Sequence, residues 1–176
     1  MTPNEEKVVI VDRMNRESGT ALRSEMRRQR LIHRASYILV FNGRQELYLQ
    51  KRTPAKDIYP GRYDIAAGGV VLAGETYEQS AERELFEELG IKGVPLLFHF
   101  DHFYSDEDNK VWGRIFSCRH EEPFVLQEEE VESGEFLSID LILSMMHSAE
   151  RFTPDGIEIL SRFIGMKASF PAQDCT

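Results

Sequence analysis

The segment 69–91, GVVLAGETYEQSAERELFEELGI, constrains the fold of this chain more than any other. Tyr77, Ala81, Leu85 and Leu89 recur at every fourth position, helix formers fill the places between, and Gly90 stops the pattern, which predicts a helix over 75–89. At about 100° per residue, Glu84, Glu87 and Glu88 share a sector roughly 100° wide beside that apolar stripe. Like charges so close are unfavourable on a bare helix, and a cation between them is the simplest compensation. Hard oxygen ligands with no His or Cys nearby favour Mg2+ or Mn2+ over zinc. An isolated E-x-x-E-E is more often a solvated face, so its context decides.

That context is a single domain of mixed strands and helices. A length of 176 residues suits one domain, and no repeat or linker divides it. Strands are expected at 8–11, 63–66, 96–104, 111–118 and 135–138, with a surface helix or loop at 22–30. The runs 35–41 and 46–51 flank Asn42-Gly43 and read as a β-hairpin whose second strand has one buried and one solvated face. Gly68-Gly69 is expected to form a tight turn just beyond its strand. Helices are expected at 140–147 and 155–164, the latter capped by Thr153 or Asp155 around Pro154, giving an α/β fold with helices on both faces. The domain proper spans 33–166, with an N-terminal extension 1–32 packed on it and a tail 167–176.

Charge and composition remove several function classes. A net charge of -9 gives no general attraction to nucleic acid. Two cysteines, Cys118 and Cys175, are too few for a disulfide framework. No apolar run reaches the ~18 residues of a membrane span, so a soluble, cytoplasmic protein is expected, with the oligomeric state open and a homodimer allowed.

All nine specified positions of the signature G-x5-E-x7-R-E-U-x-E-E-x-G-U are met, by Gly69, Glu75, Arg83, Glu84, Leu85, Glu87, Glu88, Gly90 and Ile91. A chance match in such a chain is on the order of one in ten million. The chain therefore resembles the Nudix family. The resemblance implies an α/β/α sandwich with a mixed β-sheet and hydrolysis of a nucleoside diphosphate linked to another group, a pyrophosphohydrolase activity. It further implies Glu84, Glu87 and Glu88 as metal ligands, a backbone carbonyl of Gly68 or Gly69 beside them, Arg83 orienting the carboxylates, and Glu75 bracing the helix. Gly69, Glu75 and Gly90 would be structural members of the motif. The general base would be Glu84 or a carboxylate of the 128–130 run, with Glu130 favoured in that trio.

A second resemblance lies upstream. His33-Arg34-Ala35, Gln50-Lys51-Arg52, Lys56 and Pro60-Gly61 look like the N-terminal half of isopentenyl-diphosphate isomerases, themselves Nudix relatives. Gly68 stands where that pattern carries its catalytic cysteine, Val70 where it carries a metal-binding histidine, and the upstream histidine is met by a non-ligand near Met26. Without the thiol, isomerase chemistry is disfavoured. Arg52 and Lys56 still match diphosphate-contacting positions and are the substrate-binding candidates. Trp112 is a weaker candidate for stacking a base, and none of the five histidines shows ligand spacing. The expected activity is Mg2+-dependent hydrolysis, with Mn2+ as substitute, of a phosphoanhydride bond in a small diphosphate by a metal-activated water. The alternatives are an isomerase-like enzyme or a non-catalytic nucleotide-sensing module.

Overall fold

In the computed structural model of the chain, residues 5–169 are described, with side chains through 166. Strands β1 (Lys7–Val11) and β2 (Glu17–Leu22) pair antiparallel, and helix α1 (Arg23–Gln29) leads into the central strand β3 (His33–Phe41). There follow β4 (Leu47–Arg52), β5 (Tyr63–Asp64), β6 (Ala67–Val70), α2 (Tyr77–Leu89), β7 (Leu97–Ser105), β8 (Lys110–Arg119), β9 (Val131–Leu137), α3 (Ile139–Met145) and α4 (Pro154–Ser169). All nine strands belong to one mixed sheet, in which β3 runs parallel to β8 from His33↔Val111 to Phe41↔Arg119 and antiparallel to β6. Helix α4 continues to Ser169, into the stretch 167–176 read as a tail. Residues 170–176, Cys175 among them, lie outside the described residues.

Alternate residues of β3 serve two cores. Ile38 and Val40 pack with Tyr77, Ala81, Leu85 and Leu89 of α2. Leu39 and Phe41 pack with Ile142 of α3 and with Ile159, Leu160 and Phe163 of α4 on the other face. The result is the expected α/β/α sandwich. Fully burying such a side chain is worth roughly 1.5–3 kcal/mol, so each helix is held chiefly by its stripe. Among the described residues no helix is long and apolar enough to cross a membrane.

The expected hairpin is corrected. Asn42 does turn the chain, its side chain accepting from Arg44 N and Glu46 N, but β3 and β4 share only the pair Phe41↔Leu47 and then diverge. The segment 63–70 fills the wedge, β5 pairing with β4 and β6 with β3. On its other edge β4 pairs with β9 along its length, so Leu47, Tyr48, Leu49 and Gln50 are all buried and the expected solvated face does not exist. Gly68 and Gly69 likewise lie within β6 and form no turn. A Cβ at residue 68, where φ is +144°, would fall 2.0 Å from Ser36 O, so only glycine lets the two strands approach here. Strand β9 starts four residues earlier than expected, which brings Glu130 to its very beginning.

Candidate active site

The acidic side of the site is assembled by α2. Thr76 caps the helix in a reciprocal pair with Gln79, and Gly90 ends it in the left-handed conformation. The last turn carries Glu87 and Glu88 but no basic residue, an arrangement the helix dipole disfavours unless a cation is supplied from outside. Glu88 is only 5% exposed, and its Oε2 accepts from Gly68 N at 3.1 Å. Glu84 lies against β6 so closely that a Cβ at Gly69 would sit 2.4 Å from its Oε1. Glycine at 69 is thus what allows a carboxylate at 84 to reach the floor.

Arg83 ties this side together. Its Nε and Nη2 donate to the two oxygens of Glu75 at 2.8 and 3.1 Å, and Nη2 also reaches Val70 O at 3.2 Å. Its Nη1 donates to Glu84 Oε1 at 2.7 Å and Glu87 Oε2 at 3.0 Å. Glu75 in turn accepts from Leu72 N at 3.0 Å, so a bidentate pair anchors the guanidinium and leaves one nitrogen to hold two carboxylates. Glu87 is the outermost, its side chain 48% exposed.

A cleft is lined by Lys56, Arg52, Tyr37, Asp155, Gly68 and Gly69, and the last two are the residues that Glu88 and Glu84 lie against. Lys56, at its edge, forms an ion pair with Glu130. Arg52 donates to Asp64 Oδ2 at 3.0 Å and Ile58 O at 2.9 Å. Of the 128–130 run, Glu130 alone reaches the chamber behind Glu88, where Gln50 and Arg52 also lie. Trp112 packs its ring 5.3 Å from Phe103 and joins the α2-side core, whereas the cleft is lined by its neighbour Val111. His33 is buried beside Arg27, and burial followed by that positive charge pushes its imidazole down to about 3, so it is neutral and available neither as an acid nor as a cation.

Electrostatics set this acidic side apart. Burial pushes the Glu88 carboxyl up to about 7, Lys56 opposing and Glu84 reinforcing the shift. Glu84 is raised as well, by burial, against the pull of Arg83. Lys56 is lowered by burial, with Glu88 restoring part of its charge. Two adjoining buried carboxylates, both reluctant to ionise, are the donor set that a hard divalent cation relieves. Among the described residues no three His, Cys, Asp or Glu side chains converge on one centre; Glu87 is paired with Arg83 and Glu130 with Lys56.

The fold agrees with the comparisons. The family model described as the NUDIX domain matches residues 31–162. The chain belongs to the Nudix hydrolase family. An uncharacterized Nudix hydrolase of Yersinia pestis is 43% identical over 159 residues, covering 90% of this chain and 86% of that one. The uncharacterized Nudix hydrolase YfcD of Escherichia coli K12 is 42% identical over 163 residues, covering 93% and 89%. Among solved structures, DR0079 from Deinococcus radiodurans superposes with a TM-score of 0.77 at 23% identity, covering 89% of this chain and 98% of its own. The MutT protein of Methanosarcina mazei superposes at 0.63 with 24% identity, covering 74% and 94%. At these identities the two structures attest the fold. The family acts on diphosphate-containing substrates and in general uses divalent metals such as Mg2+.

Several cleft residues of this Nudix chain escape sequence reasoning. Arg23 and Arg27, from the segment read as a surface helix or loop, turn into the cleft, Arg27 donating to Asp57 Oδ2 at 3.1 Å and Asn109 Oδ1 at 3.2 Å. Their spacing of four residues was the available signal. Tyr37 donates to Asp155 Oδ2 at 2.7 Å at the far end, a contact across 118 residues that no local pattern announces.

Proposed function

We propose that this chain is a Mg2+-dependent hydrolase, with Mn2+ as substitute, that cleaves the phosphoanhydride bond of a nucleoside-diphosphate-type or other small diphosphate by attack of water. The observation that carries the reading is the buried pair Glu84 and Glu88, one against Gly69 and the other bonded to Gly68 N, beside a cleft lined by those glycines and by Lys56 and Arg52. Glu84, Glu88 and Glu87, with the Gly68 carbonyl, would hold the cation, and Arg83 would limit their rotamers without competing for it. When bound, the cation would neutralise phosphate oxygens and acidify a water. Lys56 and Arg52 would bind the diphosphate. Lys56 is one positive charge shared with Glu130, so a phosphate that draws it away leaves Glu130 free to accept a proton. Glu84 is the other candidate base.

The upstream resemblance supports placing the chain in a branch similar to isopentenyl-diphosphate isomerases but lacking their catalytic cysteine. The backbone speaks against isomerase activity, since the position matching that cysteine is Gly68, where a Cβ would collide with Ser36 O. The test is release of phosphate or pyrophosphate from nucleoside diphosphate sugars, dinucleotides, nucleoside triphosphates and isoprenoid diphosphates, with Mg2+, with Mn2+ and with chelator. Metal-dependent release from at least one class is expected. Silence across the panel by a protein that binds the metal would overturn the hydrolase reading in favour of a nucleotide-sensing module.

A further inference from the structure

Where β3 and β4 part, the wedge segment leaves a small chamber behind Glu88. Gln50, Arg52, Asp64, Ala66, Glu88 and Glu130 line it, and Arg52, Asp64 and Ala66 also line the main cleft, so the two adjoin. Glu130 reaches it because the β4–β9 ladder slips at Arg52, passing from Lys51↔Ser133 to Arg52↔Val131. The chamber has room for about one water molecule.

Two residues of its lining each carry an unpartnered polar atom, and the two atoms are of opposite sense. Gln50 is 3% exposed and its Nε2 donates to Ala66 O at 3.0 Å, which fixes the amide and leaves Oε1 buried with no protein partner. Arg52 donates through both terminal nitrogens, to Asp64 and Ile58, and its Nε–H is likewise buried without one. Among the described residues only three buried side-chain atoms lack a partner, and two of them are on residues that line this chamber. An acceptor, a donor and carboxylates around a one-water space are the partners a buried water takes.

We propose that this chamber seats the attacking water, with Gln50 as its positioning residue and Glu130 as its base. The inference rests on the hydrolase reading above and decides between the two candidate bases, since Glu130 lines the chamber and Glu84 does not. Gln50 Oε1 accepts one water proton in a hydrogen bond, Arg52 Nε donates to the oxygen, and Glu130 accepts the second proton. As that proton passes to the Glu130 carboxylate, the water oxygen forms the new bond to phosphorus. The bridging P–O bond breaks and its electron pair leaves with the departing phosphate.

The test compares Gln50→Met with Gln50→Glu in the full-length protein. Both variants give up the amide N–H bond to Ala66 O, but only Gln50→Glu keeps an acceptor at the chamber. Gln50→Met is expected to lower kcat about 10- to 100-fold with KM within about twofold, and Gln50→Glu to hold kcat within about fivefold of the parent. Mn2+ affinity by calorimetry should be unchanged in both. Equal losses in the two variants would mean that Gln50 matters only through Ala66 and would overturn the proposal, as would parent-like turnover by Gln50→Met. A second measurement requires no turnover: a high-resolution crystal structure of the parent should show a water within hydrogen-bonding distance of Gln50 Oε1 and Arg52 Nε, and a dry chamber overturns the proposal. If that water is present but the parent hydrolyses nothing, the hydrolase reading falls and the nucleophile role with it. A working enzyme insensitive to Gln50 sinks the inference alone.

Discussion

The two sides of the cleft hold their charges by different means. The acidic side comes from one helix and the strand before it, and a single arginine inside the same motif binds Glu75, Glu84 and Glu87. The cationic side is gathered from α1, β4 and the loop after it, and its members are answered by several carboxylates: Arg27 and Arg23 by Asp57, Arg52 by Asp64 and Lys56 by Glu130. One side is therefore short of positive charge, which suits a cation supplied from outside. The other is neutralised pair by pair, so a bound anion can exchange with a carboxylate at modest cost.

If this contrast is right, damage to the acidic side should abolish turnover and damage to the cationic side should weaken binding. The largest effect is expected from Glu88→Gln, a loss of at least about 1,000-fold in kcat/KM with the fold intact by circular dichroism; near-normal activity would remove Glu88 from the cation site. Arg83→Lys should follow, with kcat and Mn2+ affinity each down about 10- to 100-fold, because an ammonium cannot span Glu75, Glu84 and Glu87 together. Lys56→Met should raise KM about tenfold and flatten its salt dependence while kcat changes less. A larger effect on kcat than on KM would make Lys56 part of the chemistry and blur the contrast.

The smallest effect is one of stability. Folded Glu88 holds its proton up to about pH 7, against an ordinary value of 4.5, so the folded state binds more protons across that interval. Stability from this group is complete below about pH 4.5 and is lost as pH rises through 7. The metal-free protein should therefore melt lower at pH 8 than at pH 5 by roughly 1–3 kcal/mol, a few degrees, from this group. Mg2+ should recover the difference at pH 8 with release of protons, and Glu88→Gln should lose the dependence. Melting curves at both pH values, with and without Mg2+, check all three.

Which parts could be read from the chain alone follows the same division. The helix, its cap at Gly90 and the register of Gly69, Arg83 and the three glutamates were legible because each relation spans few residues and follows helical geometry. Arg83 in particular meets Glu87 one turn on, as the spacing requires. The hairpin expectation failed because the Asn42 turn specifies a reversal and not the partners on either side of it, which come from residues up to 90 positions away. Alternation on β4 misled for a related reason. A period of two tells which residues share a face, but only the packing of β9 and the helices decides whether that face meets water.

The sequence by itself determined the family, the sandwich and the acidic motif, since all three are written in local spacing and residue type. The tertiary structure decided which glutamate of 128–130 lines the chamber with Glu88, that Arg23 and Arg27 line the cleft, and that Gln50 is buried beside Glu88. Those placements depend on the wedge between β3 and β4, where strands distant in sequence compete for edges, and no single stretch of chain carries the energy of that choice.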